Sequence, residues 1–399
     1  MTGPRFTGSR EVAIVGYAHS MVERHIDRPL GLLAIETVTQ AIADAGLTLD
    51  QIDGFTTGSL FPSSGGRAVV DGEHMVTSDW LVEQLGVHPR WICGFQGIGQ
   101  VVGAVSLAAS AVATGAADYV VLHRALYNPP GRYHENPMTT AEGQAQWRAP
   151  QGYWGPISEV ALPYMEYMQR YGVTREDMAT IVVESRRAGS AIPWSVWYDK
   201  PLTVDEYLGA RMISDPISML DCDMPVSGVA AFVFTSADRA ADLPHRPVYL
   251  AGFAQGRSRP RNGIGFWDLD AIIDSGAQLA GDLWRNSGLT LADVDLPQLY
   301  DGFSPFIYFW MEALGYCPKG EASRFVADGG LRPGTGKPFL SSGGAIGNGR
   351  MHGIPQMLEC YLQLSRRAGE RQLDGMEVGL MTQATPNFGG AALYTASKP

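Results

Sequence analysis

The 399-residue sequence contains few cysteines, and they are not clustered. The four lie far apart and form no Cys-x-x-Cys pair: Cys93, Cys222, Cys317 and Cys360. A zinc ligand set or a disulfide framework usually shows paired or regular cysteine spacing, so we predict neither a metal site nor disulfides. Isolated cysteines favour a reducing, cytoplasmic setting.

The chain also lacks an excess of positive charge. Thirty Lys and Arg residues stand against 41 Asp and Glu, and the formal net charge is −11. Binding to a nucleic-acid backbone requires a basic face, so we predict no nucleic-acid partner. A net negative charge does not exclude an anionic cofactor bound in a local pocket.

No segment of the sequence is typical of a signal peptide or a membrane span. Residues 1–10 are polar and precede a strand pattern. The longest uncharged run, residues 91–117, is long enough to cross a bilayer, but residues 96–100 are glutamine- and glycine-rich and the rest mixes small residues with Ser and Thr. We interpret it as a helix buried inside a protein that does not enter a membrane.

What the sequence does contain is a glycine-rich segment at residues 341–353, where five of the thirteen residues are glycine. Its two ionisable side chains are Arg350 and His352, and a helical pattern follows at 355–365. Glycines allow tight turns and close approach of a ligand to the backbone. A loop that opens onto a helix offers N–H groups to an anion or a carbonyl oxygen, so this segment is a candidate binding loop.

Two regions of the chain repeat each other. Residues 12–18 resemble residues 248–254, and residues 47–53 resemble residues 289–295, an offset of about 240 residues. In each half a strand, a helix and a strand precede a glycine-rich loop, a helix and a further strand. This alternation predicts an α/β fold with largely parallel sheets. We expect a duplicated five-layer αβαβα sandwich, with one half formed by residues 1–125 and 216–245 and the other by residues 246–399.

Residues 126–215 interrupt the first half and differ from it in composition. They are rich in Pro, Trp, Tyr and Met. A loop region of this length inside a compact protein is usually functional. We predict an insertion that covers the active site or forms a subunit contact. The alternative is a structural subdomain that does not touch the substrate.

The duplicated pattern and several short motifs resemble the thiolase superfamily over essentially the whole chain. The segment Tyr300-Asp301-Gly302-Phe303 occupies the place of the thiolase His-Asp-Cys-Phe segment, and Gly343–Arg350 that of the Gly-His loop. Ile98 and Ala384 stand near the positions of the two thiolase cysteines. Claisen chemistry through an acyl-enzyme requires a thiolate. The departures therefore indicate that this chain is not a working thiolase.

A subgroup of that superfamily shares the loss of cysteines. Residues 300–326 and the Gly-Arg-Met-His-Gly sequence at 349–353 resemble the thiolase-like lipid-transfer-protein group. The resemblance implies an acyl-CoA aldolase, a carbon–carbon lyase of steroid side-chain degradation that takes a coenzyme A thioester as its substrate and has no cofactor in the chain. It also implies a homodimer and an OB-fold/zinc-ribbon partner in a heterotetramer. The alternatives are a thiolase-like acyltransferase subunit and a catalytically silent scaffold that binds CoA or lipid.

Four side chains are candidates for the chemistry of such a site. A retro-aldol cleavage requires removal of a hydroxyl proton. Tyr300 is a candidate base if Arg350 lowers its pKa, and His352 is the alternative. In the related aldolases two tyrosines serve as acid/base residues, and Arg350 replaces the second one here. Asp301 is the fourth candidate, although we favour a structural hydrogen-bond acceptor, and Arg350 has the alternative role of pinning the loop or binding a CoA phosphate.

Backbone N–H groups are candidates for stabilising the enolate that the cleavage forms. We place this oxyanion or substrate site at two glycine pairs and one amide side chain: Gly343, Gly344, Gly389, Gly390 and Asn387.

Overall fold

The computed structural model describes residues 11–58, 69–95, 100–129, 141–143, 145–153, 155–256, 268–331 and 337–399. The expected nucleophile position at Ile98 lies outside these ranges. So do residues 130–140 of the predicted insertion.

Eleven strands are present in the described residues, and nine of them form one sheet. In chain order they are β1 (Val12–His19), β2 (Gly54–Gly58), β3 (Trp91–Phe95), β4 (Tyr119–Leu126), β5 (Met212–Ser214), β6 (Ile217–Ser218), β7 (Gly228–Ser236), β8 (Val248–Gln255), β9 (Leu296–Gln298), β10 (Val378–Gln383) and β11 (Gly390–Thr395). The order in the large sheet is β3-β2-β4-β7-β1-β8-β11-β10-β9, and β5 pairs with β6.

The twelve helices of the described residues are α1 (Leu30–Asp44), α2 (Ser78–Leu85), α3 (Gln100–Thr114), α4 (Ala145–Arg148), α5 (Gly155–Tyr171), α6 (Arg175–Ser190), α7 (Val204–Leu208), α8 (Ala237–Ala240), α9 (Leu269–Ser287), α10 (Pro305–Leu314), α11 (Ala322–Phe325) and α12 (Ile354–Leu364). Within the described ranges no helix combines the length and apolar character that a bilayer crossing requires.

The ends of the long helices follow from local sequence. Asp268 precedes α9, and its carboxylate accepts a hydrogen bond of 2.7 Å from the backbone N–H of Ala271. Gly288 ends the same helix with φ +72°, and Gly46 follows α1 with φ +73°. Glycine adopts this left-handed conformation without steric cost, so both halves of the duplication end their first helix in the same way.

Three apolar cores lie between the layers of the fold, and the second one lies on both sides of its central helices. In the first core, α1 and α2 cover one face of the strands of the first half. In the second, α3 and α12 lie between strands of both halves. In the third, α9 and α10 cover the outer face of the second half. The two halves of the nine-stranded sheet thus lie on either side of α3 and α12, so the layers are helix, sheet, helix, sheet and helix, and the predicted five-layer α/β fold is confirmed.

The expectation of largely parallel sheets is wrong. The pairs β2–β3, β2–β4 and β9–β10 are parallel, but β1–β7, β4–β7, β1–β8, β8–β11 and β10–β11 are antiparallel. The sequence pattern missed β7 and β11. Strand β11 follows β10 directly, whereas β7 follows β4 only after the helices α4 to α7, and both run antiparallel to their neighbours. Strands β1 and β8, which carry the repeated sequence, lie side by side at the centre.

The described parts of the predicted insertion are mostly helical, so the expectation of a loop region is wrong. Helix α6 packs directly on the glycine-rich segment. A Cβ atom on Gly189 would lie 1.6 Å from the carbonyl oxygen of Gly347. The hydroxyl of Ser195 also donates to the carbonyl oxygens of Gly347 and Asn348, at 3.1 and 3.2 Å. The insertion therefore supports the candidate binding loop. Its boundaries stay a prediction.

Candidate active site

Tyr300 lies just after β9 and is almost completely buried, with 5% of its surface exposed. Its backbone N–H donates to the hydroxyl of Thr382 on β10, at 2.8 Å. Its ring lies against Gly302, where a Cβ atom would be 2.7 Å from the tyrosine hydroxyl. Because β9 and β10 are parallel, their carboxyl ends meet at one edge of the sheet, and Tyr300 lies at this edge.

The pKa of Tyr300 is raised well above its ordinary value of 10. Burial is the main cause, and the charges of Asp223 and Asp301 act in the same direction. The cation that opposes them is Arg124, on β4. We expected Arg350 to lower the pKa of this tyrosine. Instead Tyr300 is protonated at neutral pH, and a different arginine faces it.

Asp301 fastens the glycine-rich segment to the site. Its fully buried carboxylate accepts hydrogen bonds from the backbone N–H groups of Ala345 (2.5 Å) and Ile346 (3.2 Å). It also accepts from the hydroxyl of Ser185 (3.0 Å) and the amide of Gln356 (3.2 Å). Burial raises the pKa of Asp301 to about 6, although the hydrogen bonds from Ala345, Ile346 and Ser185 act in the opposite direction. This arrangement suits the structural acceptor role that we favoured.

The N–H groups of Gly343 and Gly344 are not arranged as an oxyanion hole. That of Gly343 donates to the carbonyl oxygen of Leu340 at 2.9 Å, and that of Gly344 donates to the hydroxyl of Ser342 at 3.1 Å. Both donors are therefore used inside the protein. These glycines instead allow close packing, because a Cβ atom on Gly344 would lie 2.2 Å from the carboxylate of Asp301. Our oxyanion assignment for this pair is not supported.

The second predicted oxyanion segment is also partly occupied. The N–H of Gly389 donates to the carbonyl oxygen of Thr385 at 2.6 Å, so this amide does not face a ligand. The side-chain oxygen of Asn387 accepts a hydrogen bond of 2.6 Å from the hydroxyl of Thr385. Gly390 begins β11 opposite Gln383. A binding role for Asn387 and Gly390 stays a prediction.

Arg350 and His352 both lie close to the buried arginine of β4. Only 6% of Arg350 is exposed, and burial followed by the charge of Arg124 lowers its pKa to about 9. Burial and the two arginines lower the pKa of His352 well below 6.5. The backbone of His352 has φ +51°, a conformation that is uncommon outside glycine and that occurs often at functional sites.

Arg124 itself was not among our candidates. Only 2% of its surface is exposed. Its guanidinium donates to the carbonyl oxygen of Gly58 at 3.0 Å and is 2.8 Å from Nδ1 of His352. Burial lowers its pKa to about 10, and the neighbouring Tyr300 acts in the opposite direction. A signal was present in the sequence, because His123 and Arg124 are two ionisable residues inside an otherwise apolar strand.

Asp223 is a second group that sequence analysis missed. Its backbone N–H donates to the carbonyl oxygen of Gly302 at 3.1 Å, and the next carbonyl, that of Met224, accepts from the N–H of Arg350 at 2.9 Å. The chain at 222–225 thus lies between the Tyr300 loop and the glycine-rich segment. Burial raises the pKa of Asp223 well above 3.8, with a further contribution from Asp301.

Three of the four cysteines are not activated as thiolates. Burial raises the pKa of Cys222 and Cys360 well above 9, and that of Cys317 to about 12. No cluster of three or more His, Cys, Asp or Glu side chains in the described ranges is arranged to hold a metal ion. The site instead combines two oxygen acids, Tyr300 and Asp223, with buried cations. Such a combination can move a proton and stabilise negative charge without a covalent intermediate.

Comparison with known proteins gives consistent relatives. The model of the thiolase C-terminal domain-like family matches residues 269–393. The 17-hydroxy-3-oxo-4-pregnene-20-carboxyl-CoA lyase of Mycobacterium tuberculosis is 34% identical over 391 residues, which cover 94% of this chain and 97% of that protein. The steroid side-chain-cleaving aldolase of Thermomonospora curvata is 32% identical over 383 residues, which cover 94% and 95%. A solved structure, the Ltp2-ChsH2(DUF35) aldolase, has a TM-score of 0.83 at 29% identity and covers 96% of this chain and 97% of that chain.

Proposed function

Because this chain belongs to the thiolase-like family that includes the steroid side-chain-cleaving aldolases, we propose that it is an acyl-CoA aldolase. The substrate is a β-hydroxyacyl-CoA with a steroid-like side chain, and the products are a ketone and a shorter acyl-CoA. The observation that carries the proposal is the position of Tyr300, buried beside Arg124 and Asp223 in a site without a thiolate.

The proton balance of the reaction fits these groups. The hydroxyl proton leaves, the bond between the α- and β-carbons breaks, and its electron pair forms the enolate of the thioester. Burial keeps Tyr300 protonated, so this tyrosine acts as a relay. It receives the hydroxyl proton of the substrate and at the same time gives its own phenolic proton to another base. Asp223 suits this role, since its charge acts on Tyr300 more strongly than that of Asp301 and its raised pKa favours proton uptake. A proton then passes from Asp223 to Tyr300 and from Tyr300 to the α-carbon of the enolate.

The buried cations stabilise the negative charge that develops during cleavage. Arg124 and Arg350 are both buried, so their fields are little screened by water. Both act on His352 from the same corner of the fold. In this proposal Arg350, at the place of the second family tyrosine, stabilises charge and does not transfer a proton.

The proposed assembly is a homodimer with an OB-fold/zinc-ribbon partner, in the cytoplasm. Among the described strands, β3 lies at the end of the sheet and pairs only with β2, so its other edge is open for pairing with a second copy. The solved Ltp2-ChsH2(DUF35) aldolase is named for two components, and this supports a second protein chain in the complex. Size-exclusion chromatography with light scattering on the chain alone and with its partner tests both points.

The decisive experiment measures cleavage directly. We would incubate the complex with a β-hydroxyacyl-CoA that bears a tertiary alcohol, and follow ketone and short acyl-CoA by mass spectrometry. We expect Tyr300→Phe to lower turnover at least 100-fold, because a positioned acid/base typically contributes a factor of 10² to 10⁴.

Tyr164→Phe is the matched control for that experiment. Tyr164 is also a fully buried tyrosine, and its hydroxyl has no hydrogen-bond partner among the described residues. Its removal should leave turnover nearly unchanged. Near-normal cleavage by Tyr300→Phe would refute the role of Tyr300. Tight binding of the acyl-CoA without cleavage by the wild type would instead favour a scaffold, and transfer of the acyl group would favour an acyltransferase.

A further inference from the structure

The contact between the buried Arg124 and the partly buried His352 joins the two halves of the duplicated fold at the site. Arg124 belongs to β4 of the first half, and His352 lies in the glycine-rich segment of the second. Nη2 of the arginine is 2.8 Å from Nδ1 of the histidine. The other terminal nitrogen of the guanidinium donates to the carbonyl oxygen of Gly58 at 3.0 Å. Two hydrogen bonds in different directions therefore fix the orientation of the guanidinium plane.

This contact determines which nitrogen of His352 carries hydrogen. A guanidinium only donates hydrogen bonds, so Nδ1 of the imidazole must accept. The proton of the neutral ring is then on Nε2. Among the described residues, the charged groups that act on His352 are Arg350 from its own segment and Arg124 from β4, and both are cations. They disfavour a second proton on the ring, which stays neutral across the physiological pH range.

We propose that Arg124 is a positioning residue that holds His352 as a neutral Nε2–H hydrogen-bond donor to the oxygen of the substrate thioester. His352 is then a donor to the enolate and not the base that takes the hydroxyl proton. The identity of the acceptor rests on the proposed function, whereas the state of the imidazole does not depend on it.

The rest of the site is consistent with this division of roles. The N–H groups of Gly343, Gly344 and Gly389 all donate within the protein, so they leave the enolate oxygen to another donor. A neutral imidazole N–H can donate to the developing oxyanion without giving up its proton. The lone pair that a base would need is engaged by Arg124.

The first test reads the imidazole without any reference to activity. The complete protein would be labelled with ¹⁵N-histidine, and the resonances of His352 assigned by their loss in His352→Gln. We expect the hydrogen on Nε2, an unprotonated Nδ1, and no titration between pH 5.5 and 8.5. A hydrogen on Nδ1, or titration near the ordinary histidine pKa of about 6.5, would overturn the proposal. This measurement needs no folded variant of Arg124.

The second test separates positioning from a general structural role. Arg124→Met should let the ring populate both tautomers and should raise its pKa, since a neighbouring cation is removed. We expect kcat to fall about 100-fold with little change in KM, the size seen for loss of an oxyanion donor. Arg124→Lys keeps a cationic donor and should restore the Nε2–H tautomer and part of kcat. Arg124→Met with an unchanged tautomer would refute the inference.

A matched control is Arg175→Met. Arg175 also donates to two backbone carbonyl oxygens, those of Tyr207 and Leu208, but it lies on the insertion. The Arg175→Met substitution should leave both the imidazole resonances of His352 and kcat unaltered. If the wild type shows the expected tautomer yet releases no ketone, the proposed function fails while the positioning of His352 stands.

Discussion

Replacing Asp301 by asparagine changes a buried charge at the point where the glycine-rich segment is fastened. The carboxylate accepts hydrogen bonds from two backbone N–H groups, those of Ala345 and Ile346, and from the side chains of Ser185 and Gln356. Asparagine has nearly the same shape but only one acceptor oxygen, and its NH₂ group is itself a donor. We therefore expect Asp301→Asn to loosen the segment and to lower aldolase turnover.

The pH dependence of stability gives this prediction a sign and a magnitude. Burial raises the pKa of Asp301 from 3.8 to about 6 in the folded protein. The folded state then binds a proton more tightly than the unfolded state, so the contribution of this group is fully present below about pH 4 and is lost as the pH rises through about 6. A shift of roughly two units corresponds to about 3 kcal/mol. Asparagine does not titrate and lacks this contribution at every pH.

The assay is urea denaturation of the wild type and of Asp301→Asn between pH 4 and 7.5. The free energy of unfolding of the variant, relative to the wild type, should rise by about 3 kcal/mol over this range. At the acidic end the variant should be the less stable protein, because the unsatisfied N–H groups cost about 1–3 kcal/mol each.

Ser185→Ala is the control for this experiment. It removes one hydrogen bond that lowers the pKa of Asp301 and leaves the carboxyl group in place. The free energy of unfolding of Ser185→Ala should therefore still fall as the pH rises, and the fall should extend to higher pH than in the wild type. A stability difference between Asp301→Asn and the wild type that does not change with pH would show that the carboxyl does not titrate as the structure indicates.

Two further predictions concern backbone geometry and the contact between the halves. Gly344→Ala should reduce turnover at least tenfold and should lower the melting temperature more than Gly369→Ala does. The two glycines have nearly the same backbone conformation, with φ of +60° and +61°, but only a Cβ atom at residue 344 would collide with Asp301. Arg367→Gln should lower the free energy of unfolding by about 1–2 kcal/mol in urea denaturation, since its guanidinium bonds both carboxylate oxygens of Asp44, at 2.9 and 2.6 Å, in a partly buried pair.

The neighbouring Arg366 is a control for the second of these. It pairs with Glu377 at 2.8 Å, but both side chains are considerably more exposed than those of the Arg367–Asp44 pair. Arg366→Gln should therefore change stability by less than about 0.5 kcal/mol. Equal losses for the two arginine variants would refute the special role of the pair that joins the ends of α1 and α12. Equal effects of alanine at 344 and 369 would likewise show that the close contact with the carboxylate is unimportant.

Much of the architecture could be predicted from the sequence because the chain repeats itself. The repeated strand sequences become β1 and β8, and the helices that precede Gly46 and Gly288 end where the glycines indicate. Strands β7 and β11 were missed as sheet partners, since the strand–helix alternation used for the prediction gives no signal for an antiparallel strand. The helical insertion was missed because aromatic and proline-rich composition resembles a loop when its burial is unknown.

The candidate site was predictable only where its residues are close in the sequence. Tyr300 with Asp301, and Arg350 with His352, stand in recognisable motifs, and the structure brings both pairs to one place. Their electrostatic state was not predictable. A pKa depends on burial and on charges from distant parts of the chain, and here these come from Arg124 and Asp223. The protonated Tyr300 and the neutral His352 are consequences of that packing.

The site consequently depends on the packing of the two halves against each other. Arg124 comes from a strand of the first half, Asp223 from the chain that returns after the insertion, and Tyr300 and His352 from loops of the second half. Each of these groups is ionisable and poorly solvated, so each would be costly to bury alone. Their charges act on one another in a way that one half could not reproduce, because Arg124, which opposes the raised pKa of Tyr300 and contacts His352, is in the first half. A fragment that contains residues 246–399 alone would therefore retain both sequence motifs and lose the electrostatic environment that makes them a site.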